Sequence, residues 1–357
     1  MARRFLALIA SLAALLAVAA LRVVPLAGQA PAAPKPSAKA EAPAKVGWKA
    51  PRTSWGDPDL QGNYTNVYEQ GTPLERPKEF EGRTLEDVRG EELATLKRGV
   101  QQRTISNFEG PIHAPDHWWQ DALFLEKGSQ AWLVVDPPDG RIPPMTPEAE
   151  KRIAARADAR RNSGHGPSDS WEDRSLYDRC ITRGLPGSMM PAIYGDSYQI
   201  LQGQGYVAIR YEMIHETRVI PLDNHSHVGR DIHLDMGDAR GRWDGDTLVV
   251  ETTNFRDRSV YRNANADALK LTERFTRVAP DKVKWAVTVD DPTTWTRPWT
   301  YALPLTMNDR EPLMPYECHE GNYGLKNILS AARADEKAAA APGQGAPADP
   351  SAPADER

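Results

Sequence analysis

Six segments between residues 197 and 305 are rich in β-branched and aromatic residues and are separated by turn signals. They are Ser197–Gly203, Tyr206–Pro221, Thr247–Phe255, Leu269–Ala279, Lys282–Asp290 and Arg297–Leu305. The Asp244-Gly245 turn is typical of a tight hairpin, because Asp-Gly accepts the positive φ of a type I′ turn. Successive hairpins predict an antiparallel meander, which must close or be covered to protect its edges. We therefore predict a mainly β fold, closed into a barrel or strongly curved sheet, with a β-sandwich as the alternative.

Helices are expected around this sheet rather than inside it. Thr84, with an acid three residues later, begins a helical pattern that runs to about residue 102. A cap with a first-turn proline begins a second pattern over residues 146–161, and a third covers residues 322–337. Charged residues are frequent in the first two, which places them at the periphery.

The two ends of the chain differ in composition from the middle. A short basic start precedes an apolar run from Phe5 to Leu21, which is the pattern of a secretory signal peptide over residues 1–30. Residues 31–50 are an Ala/Pro-rich linker, residues 51–337 a single β-rich domain, and residues 338–357 a disordered tail. These patterns predict a periplasmic or secreted protein with no transmembrane helix after cleavage; an uncleaved anchor is the alternative.

Charge and cysteine content narrow the class of protein. With 44 basic and 49 acidic residues and no cluster of Lys or Arg, the chain has no surface suited to nucleic acid. Cys180 and Cys318 are the two cysteines, and an exported even pair favours a disulfide. The competing interpretation is a nucleophilic thiol at Cys318, beside His319.

Strand alternation places ionisable side chains among apolar ones. His215 continues the face of Val207, Ile209 and Tyr211, and Glu273 shares a face with Leu271 and Phe275. Glu251 is ambiguous, because both sides of its strand carry apolar residues. One interpretation makes His215 an acid/base oriented by Glu273 or Glu251. The other is a buried salt-bridge network with Arg218, Arg210 or Arg274.

A polar stretch after this strand holds several histidines and aspartates. Asp223, His227 and His233 are candidate metal ligands, because alternate imidazoles on an extended chain project to one side. A solvated polar loop is the competing interpretation. Separately, Trp295 and Trp299 flank a Thr-Arg-Pro turn and are candidates for a platform on which a sugar or aromatic ligand stacks, with core packing as the alternative.

Three long motifs resemble a family of uncharacterised exported bacterial proteins: GDARGRWDGDTLVVETTNF, LTERFTRVAPDKVKWAVTVDDPTTWTRPWT and YECHEGNYGL. The similarity extends from PDLQGNYTNV through RCITRGLP and RVIPLDNHSH to CHEGNY. It implies no chemistry, but it marks candidate site positions in these motifs: Arg179, Cys180, Arg218, Asp223, His227, His319 and Glu320. The Gly62-x-Tyr64 start also resembles the Gly-x-Trp opening of lipocalin-like barrels, with Tyr64 in the Trp position.

Three functional hypotheses follow. The first is an exported barrel that binds a small, partly apolar molecule, with Tyr211, Arg218, Arg179 and the two tryptophans as its ligand contacts. The second is a periplasmic enzyme that uses His215 or His319 with Glu273, Glu251 or Glu320, with or without a metal, for hydrolysis, elimination or isomerisation. The third is an envelope structural protein. No serine elbow, phosphate loop or dinucleotide fingerprint is present, and the sequence identifies no cofactor, ligand or protein partner.

Overall fold

The computed structural model describes residues 48–108, 128–192, 195–309, 313–314, 316, 318–319 and 321–340, without the side chains of residues 101, 103–108 and 215. They belong to one compact unit, Val46–Arg357. The predicted signal peptide, nearly all of the predicted linker and most of the predicted tail lie outside the described residues. None of the described helices is long and apolar enough to cross a membrane.

The strands are β1 Gly62–Thr65, β2 Val134–Asp136, β3 Ser197–Gly203, β4 Tyr206–Tyr211, β5 Thr217–Pro221, β6 Asp238–Asp244, β7 Thr247–Thr253, β8 Lys270–Ala279, β9 Lys282–Asp290 and β10 Trp299–Met307. The helices are α1 Gly90–Phe108, α2 Pro147–Arg161 and α3 Tyr323–Ala339, and several single-turn 3-10 helices lie between these elements.

Nine of the strands form one antiparallel path in the order β5-β4-β3-β1-β10-β9-β8-β7-β6. Strand β2 pairs with the N-terminal end of β10, at Thr300 and Tyr301. Two meanders, β3 to β5 and β6 to β10, are therefore joined by β1, which pairs with β3 on one side and β10 on the other. The path curls until its two ends, β5 and β6, lie side by side. The result is a nearly closed barrel, and the prediction of a mainly β barrel with peripheral helices is confirmed.

We call the line along which β5 and β6 face each other the seam. A β-carbon on Gly241 of β6 would lie 2.6 Å from Leu222 Cδ2 and 2.8 Å from Ile220 Cγ2. The absence of a side chain at this glycine allows the two strands to approach so closely. The seam is thus filled by apolar side chains from β5 and the residue after it.

The turns confirm the hairpin predictions and correct one strand. Gly245 has φ +60°, as the β6–β7 hairpin requires, and Pro280 and Asp281 join β8 to β9 in a second hairpin. The predicted strand over residues 206–221 is wrong as a single element: β4 ends at Tyr211, a 3-10 turn spans Met213–His215, and β5 begins at Thr217. Ile214 has φ +62° there, a conformation that β-branched residues rarely adopt.

Helices α2 and α3 begin where the sequence predicts, whereas α1 begins at Gly90, six residues after the predicted cap Thr84. Thr146 Oγ1 accepts a hydrogen bond of 3.1 Å from the backbone N–H of Ala149 at the start of α2. Thr84 caps a single 3-10 turn, whose Asp87 side chain accepts a 2.7 Å bond from the Thr84 backbone, and α1 follows from Gly90. Helix α3 has no buried residue, which places it on the outside.

Cys180 and Cys318 form a disulfide across 138 residues of sequence, with their Cα atoms 5.8 Å apart. The predicted pairing is confirmed, and the alternative of a nucleophilic thiol is wrong because neither sulfur is free. The bond ties the segment before α3 to the segment before β3. In the chain-entropy model, closing a loop of this length lowers the conformational entropy of the unfolded chain. This stabilises the folded state by about 5 kcal/mol.

Candidate functional site

The barrel interior is built from alternate residues of each strand, as the period of two dictates. On β9 the predicted face of Val283, Trp285, Val287 and Val289 is fully buried. Large aromatic rings from neighbouring strands fill the space between these aliphatic side chains: Tyr64, Tyr198, Tyr211, Phe275, Trp285, Trp299 and Tyr301.

One carboxylate lies inside this apolar shell. Glu273 on β8 shares the inner face with Leu271 and Phe275 and is 0% exposed. Arg218 on β5 reaches it from across the barrel with two hydrogen bonds, Nη1 to Oε2 at 2.5 Å and Nη2 to Oε1 at 3.1 Å. The indole N–H of Trp285 donates a third bond of 3.1 Å to Oε1. Glu273 was predicted either to orient His215 or to form a buried salt bridge, and the geometry is that of the buried ion pair with Arg218.

The two charges stabilise each other in place. Burial acts to lower the pKa of the Arg218 guanidinium, but attraction to Glu273 outweighs it and the pKa lies above the ordinary value. An isolated charge at this depth would cost several kcal/mol, so each residue depends on the other. The pair introduces no net charge into the interior.

Four polar atoms around this pair have no hydrogen-bond partner among the described residues. They are the Tyr211 and Tyr301 hydroxyls, the Trp299 indole nitrogen and Arg218 Nε. Burial raises the pKa of both tyrosines above the ordinary value, so the hydroxyls keep their protons at neutral pH. All four groups therefore present hydrogen-bond donors.

We call Arg218, Glu273, Trp285, Tyr211, Tyr301 and Trp299 the lumen cluster. Its aromatic members contact one another: the rings of Trp285 and Tyr301 meet edge to face at 5.8 Å, and those of Trp299 and Tyr301 lie 5.9 Å apart. Tyr211 and Tyr301 lie near enough to Glu273 for its charge to raise their pKa values further. The cluster combines flat apolar walls with unpaired donors, and its charges are already balanced.

The two tryptophans predicted as a stacking platform are not on the surface. Trp295 and Trp299 are 2% and 0% exposed, and their rings meet at 5.7 Å with an angle of 76°. They pack in the core because β10 begins at Trp299 and turns its ring inward. The structure therefore shows core packing, the alternative interpretation, for both tryptophans, and Trp299 belongs to the lumen cluster.

The other predicted catalytic residues lie away from the interior. Glu251 on β7 faces outward, because Leu248, Val250 and Thr252 form the inner face of that strand. His319 is exposed in the segment that follows the disulfide-bonded Cys318. The side chain of His215 and all of Glu320 lie outside the described residues, so their predicted roles stay predictions.

Arg179 lies on the outer surface next to the disulfide. Its guanidinium is stacked 4.5 Å from the ring centre of Trp171, a cation–π contact at an exposed tryptophan. This position is outside the barrel, so Arg179 does not join Arg218 and Tyr211 in one site.

The three candidate metal ligands do not converge. Asp223 pairs with His225 at 2.7 Å, His233 Nδ1 lies 2.9 Å from the Phe255 carbonyl oxygen, and His227 turns to Asp238. No group of three or more His, Cys, Asp or Glu side chains suited to a metal occurs in the described part of the chain. The predicted three-ligand site is not assembled, because each side chain is held by a different neighbour.

Comparison with known proteins adds little to this picture. No protein-family model and no curated protein matches the chain. Among solved structures, a single-residue mutant of the fluorescent protein UnaG matches with a TM-score of 0.21 and 12% sequence identity, over 37% of this chain and 85% of that chain. A TM-score of this size supports no inference about ligand or mechanism, and the fold is defined by the strand pairing itself.

Proposed function

We propose that this protein is a small-molecule-binding β-barrel whose ligand contacts the lumen cluster. The observation that carries the proposal is the set of four buried donors without partners, at Tyr211, Tyr301, Trp299 and Arg218. A buried polar group left unpaired costs about 1–3 kcal/mol, so four of them around one ion pair are an expensive arrangement for packing alone. A ligand that accepts their hydrogen bonds recovers this free energy.

The chemistry of the site indicates the class of ligand. Since the unpaired groups donate, the ligand presents acceptors such as carbonyl or ether oxygens. Since Arg218 and Glu273 neutralise each other, the ligand carries no net charge. The walls are aromatic rings that meet edge to face or at a tilt, so we expect a small planar ligand to pack against them.

Export is part of the proposal. Its support is the signal-like start of the sequence and the Cys180–Cys318 disulfide, because such bonds persist in oxidising compartments. We also propose membership of the family of uncharacterised exported bacterial proteins, which the three long motifs resemble. A carrier in the bacterial envelope is consistent with both.

Native mass spectrometry of protein exported by its own leader tests the proposal. We expect a bound organic mass that is lost on denaturation, and binding of added coumarin, a small planar lactone, by the emptied protein. The double variant Tyr211→Phe/Tyr301→Phe is expected to bind either molecule on the order of 10-fold or more weakly, because two hydrogen bonds are lost.

Tyr64→Phe is the matched control. Tyr64 is equally buried, but its hydroxyl donates a 2.9 Å bond to the Leu60 carbonyl oxygen. This variant should bind like the wild type. An apo mass with no coumarin binding, or equal binding by the double variant and the wild type, contradicts the proposed site.

A further inference from the structure

A second polar site lies on the outer side of the barrel at the seam. An open pocket of about 190 Å³ is lined by residues 224–227 of the loop after β5, residues 240–242 of β6 and Glu251 of β7. Arg240 and Glu251 are cross-strand partners, so β6 and β7 form its floor. The loop that connects β5 to β6 forms its wall.

His227 is held in this pocket by a carboxylate. Its Nδ1 lies 2.8 Å from Asp238 Oδ2, which also accepts a 3.1 Å bond from the Val228 backbone N–H. Asp238 Oδ1 accepts a 2.8 Å bond from Arg240 Nη1. Three donors thus fix the Asp238 carboxylate, and an acceptor at Nδ1 places the proton of the neutral imidazole on that nitrogen.

The other imidazole nitrogen of His227, Nε2, is accessible to a molecule in the pocket. Nε2 of His227 lies 3.5 Å from Glu251 Oε1, which is longer than a hydrogen bond, so Nε2 has no hydrogen-bond partner among the described residues. The His227 side chain is 23% exposed, which leaves Nε2 within reach of a molecule in the pocket. A carboxylate on Nδ1 and an unprotonated Nε2 beside a pocket is the arrangement of a general base.

Charges around the pocket indicate the substrate. Arg242 lines the pocket and forms no ion pair with any described residue, so its guanidinium is available to stabilise an oxyanion. Glu251 has a partly exposed side chain across from His227, and its carboxylate can accept a hydrogen bond from the second hydrogen of a water bonded to Nε2. The volume suits only a small group such as an acetyl or propionyl ester.

We propose that the seam pocket is a hydrolytic site for small carboxylic esters, with His227 as general base. His227 Nε2 takes a proton from water as the water oxygen bonds to the carbonyl carbon, and Arg242 stabilises the oxyanion. The tetrahedral intermediate collapses with cleavage of the bond to the alkoxy oxygen, and the alkoxide receives the proton from Nε2. The products are a carboxylic acid and an alcohol. Asp238 is a positioning residue, because it acts through His227.

Hydrolysis of p-nitrophenyl acetate by the full exported chain tests the proposal. We expect a wild-type rate above the buffer rate. His227→Gln should lower kcat/KM at least 10-fold. Asp238→Asn should lower kcat and alter the pH profile, because an amide no longer holds the proton on Nδ1.

His165→Gln is the matched control. His165 lies outside the pocket, and its side chain is 70% exposed with Nδ1 3.8 Å from Asp169 Oδ2. Its loss should change kcat/KM less than 2-fold. Glu251→Gln, at a surface position, gives a second measurement that does not depend on the folding of the His227 variant, and it should lower kcat several-fold. A wild-type rate equal to buffer, or equal losses in the His165 and His227 variants, overturns the proposal.

Discussion

The lumen cluster and the seam pocket each contain a carboxylate held by an arginine, and they differ in the partner that completes the arrangement. Glu273 is fully buried, and its third donor is an indole N–H. Asp238 is 7% exposed on the outer face of the barrel, and one of its donors is an imidazole. Neither arginine nor indole exchanges a proton near neutral pH, whereas histidine does. The interior is therefore suited to binding and the seam to proton transfer.

Removing the arginine from each site should give the largest difference in the free energy of unfolding. Arg218→Met is expected to lower the free energy of unfolding by about 3–5 kcal/mol, because Glu273 is left as an unpaired buried charge. Arg240→Met should cost about 1 kcal/mol, since Asp238 keeps its hydrogen bonds to His227 and the Val228 backbone and the Arg240 side chain is 22% exposed. Urea denaturation of both variants measures the difference. Similar losses would mean that the two carboxylates are equally dependent on their arginines.

A double variant tests whether the stability lost by Arg218→Met arises from the unpaired charge or from altered packing. Arg218→Met/Glu273→Leu should recover most of the stability lost by Arg218→Met alone, because no unpaired charge remains. If the double variant stays as unstable as the single one, the loss arises from packing rather than from charge.

Asp196, next to β3, extends the comparison to a buried carboxyl held by neutral groups. It accepts hydrogen bonds from the Ala192 backbone N–H at 3.0 Å and from Gln70 at 2.9 Å, and burial raises its pKa to about 6. The folded pKa is above that of the unfolded chain, so its contribution to stability is fully present below about pH 4 and is lost as the pH increases through 6.

Asp196→Asn should remove this pH dependence. Between pH 4 and pH 7 the wild type is expected to lose on the order of 2–3 kcal/mol relative to the variant, at about 1.4 kcal/mol for each pKa unit. Unfolding free energies at several pH values measure it. Parallel wild-type and variant profiles would show that Asp196 titrates normally.

The smallest expected changes in stability come from removing tyrosine hydroxyls. Tyr64→Phe should cost about 1 kcal/mol, because the bond to the Leu60 carbonyl is lost and leaves that acceptor unpaired. Tyr301→Phe should leave the ligand-free protein equally stable or slightly more stable, since its hydroxyl has no partner among the described residues. Thermal unfolding of the ligand-free proteins compares the two. A similar loss in both variants would show that the Tyr301 hydroxyl is paired.

Regular alternation made much of the barrel predictable. The inner faces of β8 and β9 follow directly from their sequences, and so does the interior position of Glu273. The Asp244-Gly245 turn located the β6–β7 hairpin, although β6 itself was not among the predicted strands. The position of β1 between β3 and β10 is a long-range pairing, and no local pattern specifies it.

Three residues were misassigned or missed from the sequence, each for a physical reason. Residues 206–221 keep their alternation through the turn at Ile214, where no Gly or Pro marks the break, so His215 was assigned to a strand. Glu251 lies on a strand that is buried on both sides at Val249 and Val250, and alternation does not choose between its faces. Asp238 was missed because its role depends on the fold of the loop that brings His227 to it. An aspartate six residues before the Asp244-Gly245 turn, in a strand that the sequence did not predict, offered only a weak signal.

The seam also bears on how the protein behaves in concentrated solution. A sheet that ends in two open strands offers two templates for edge-to-edge aggregation. Here Gly241 lets β5 and β6 turn those edges toward each other, so each shields its neighbour within a single molecule. A bulky residue at this glycine would force the strands apart and present both edges to other copies of the chain. One missing side chain thus allows each of these edges to be covered from within the same molecule.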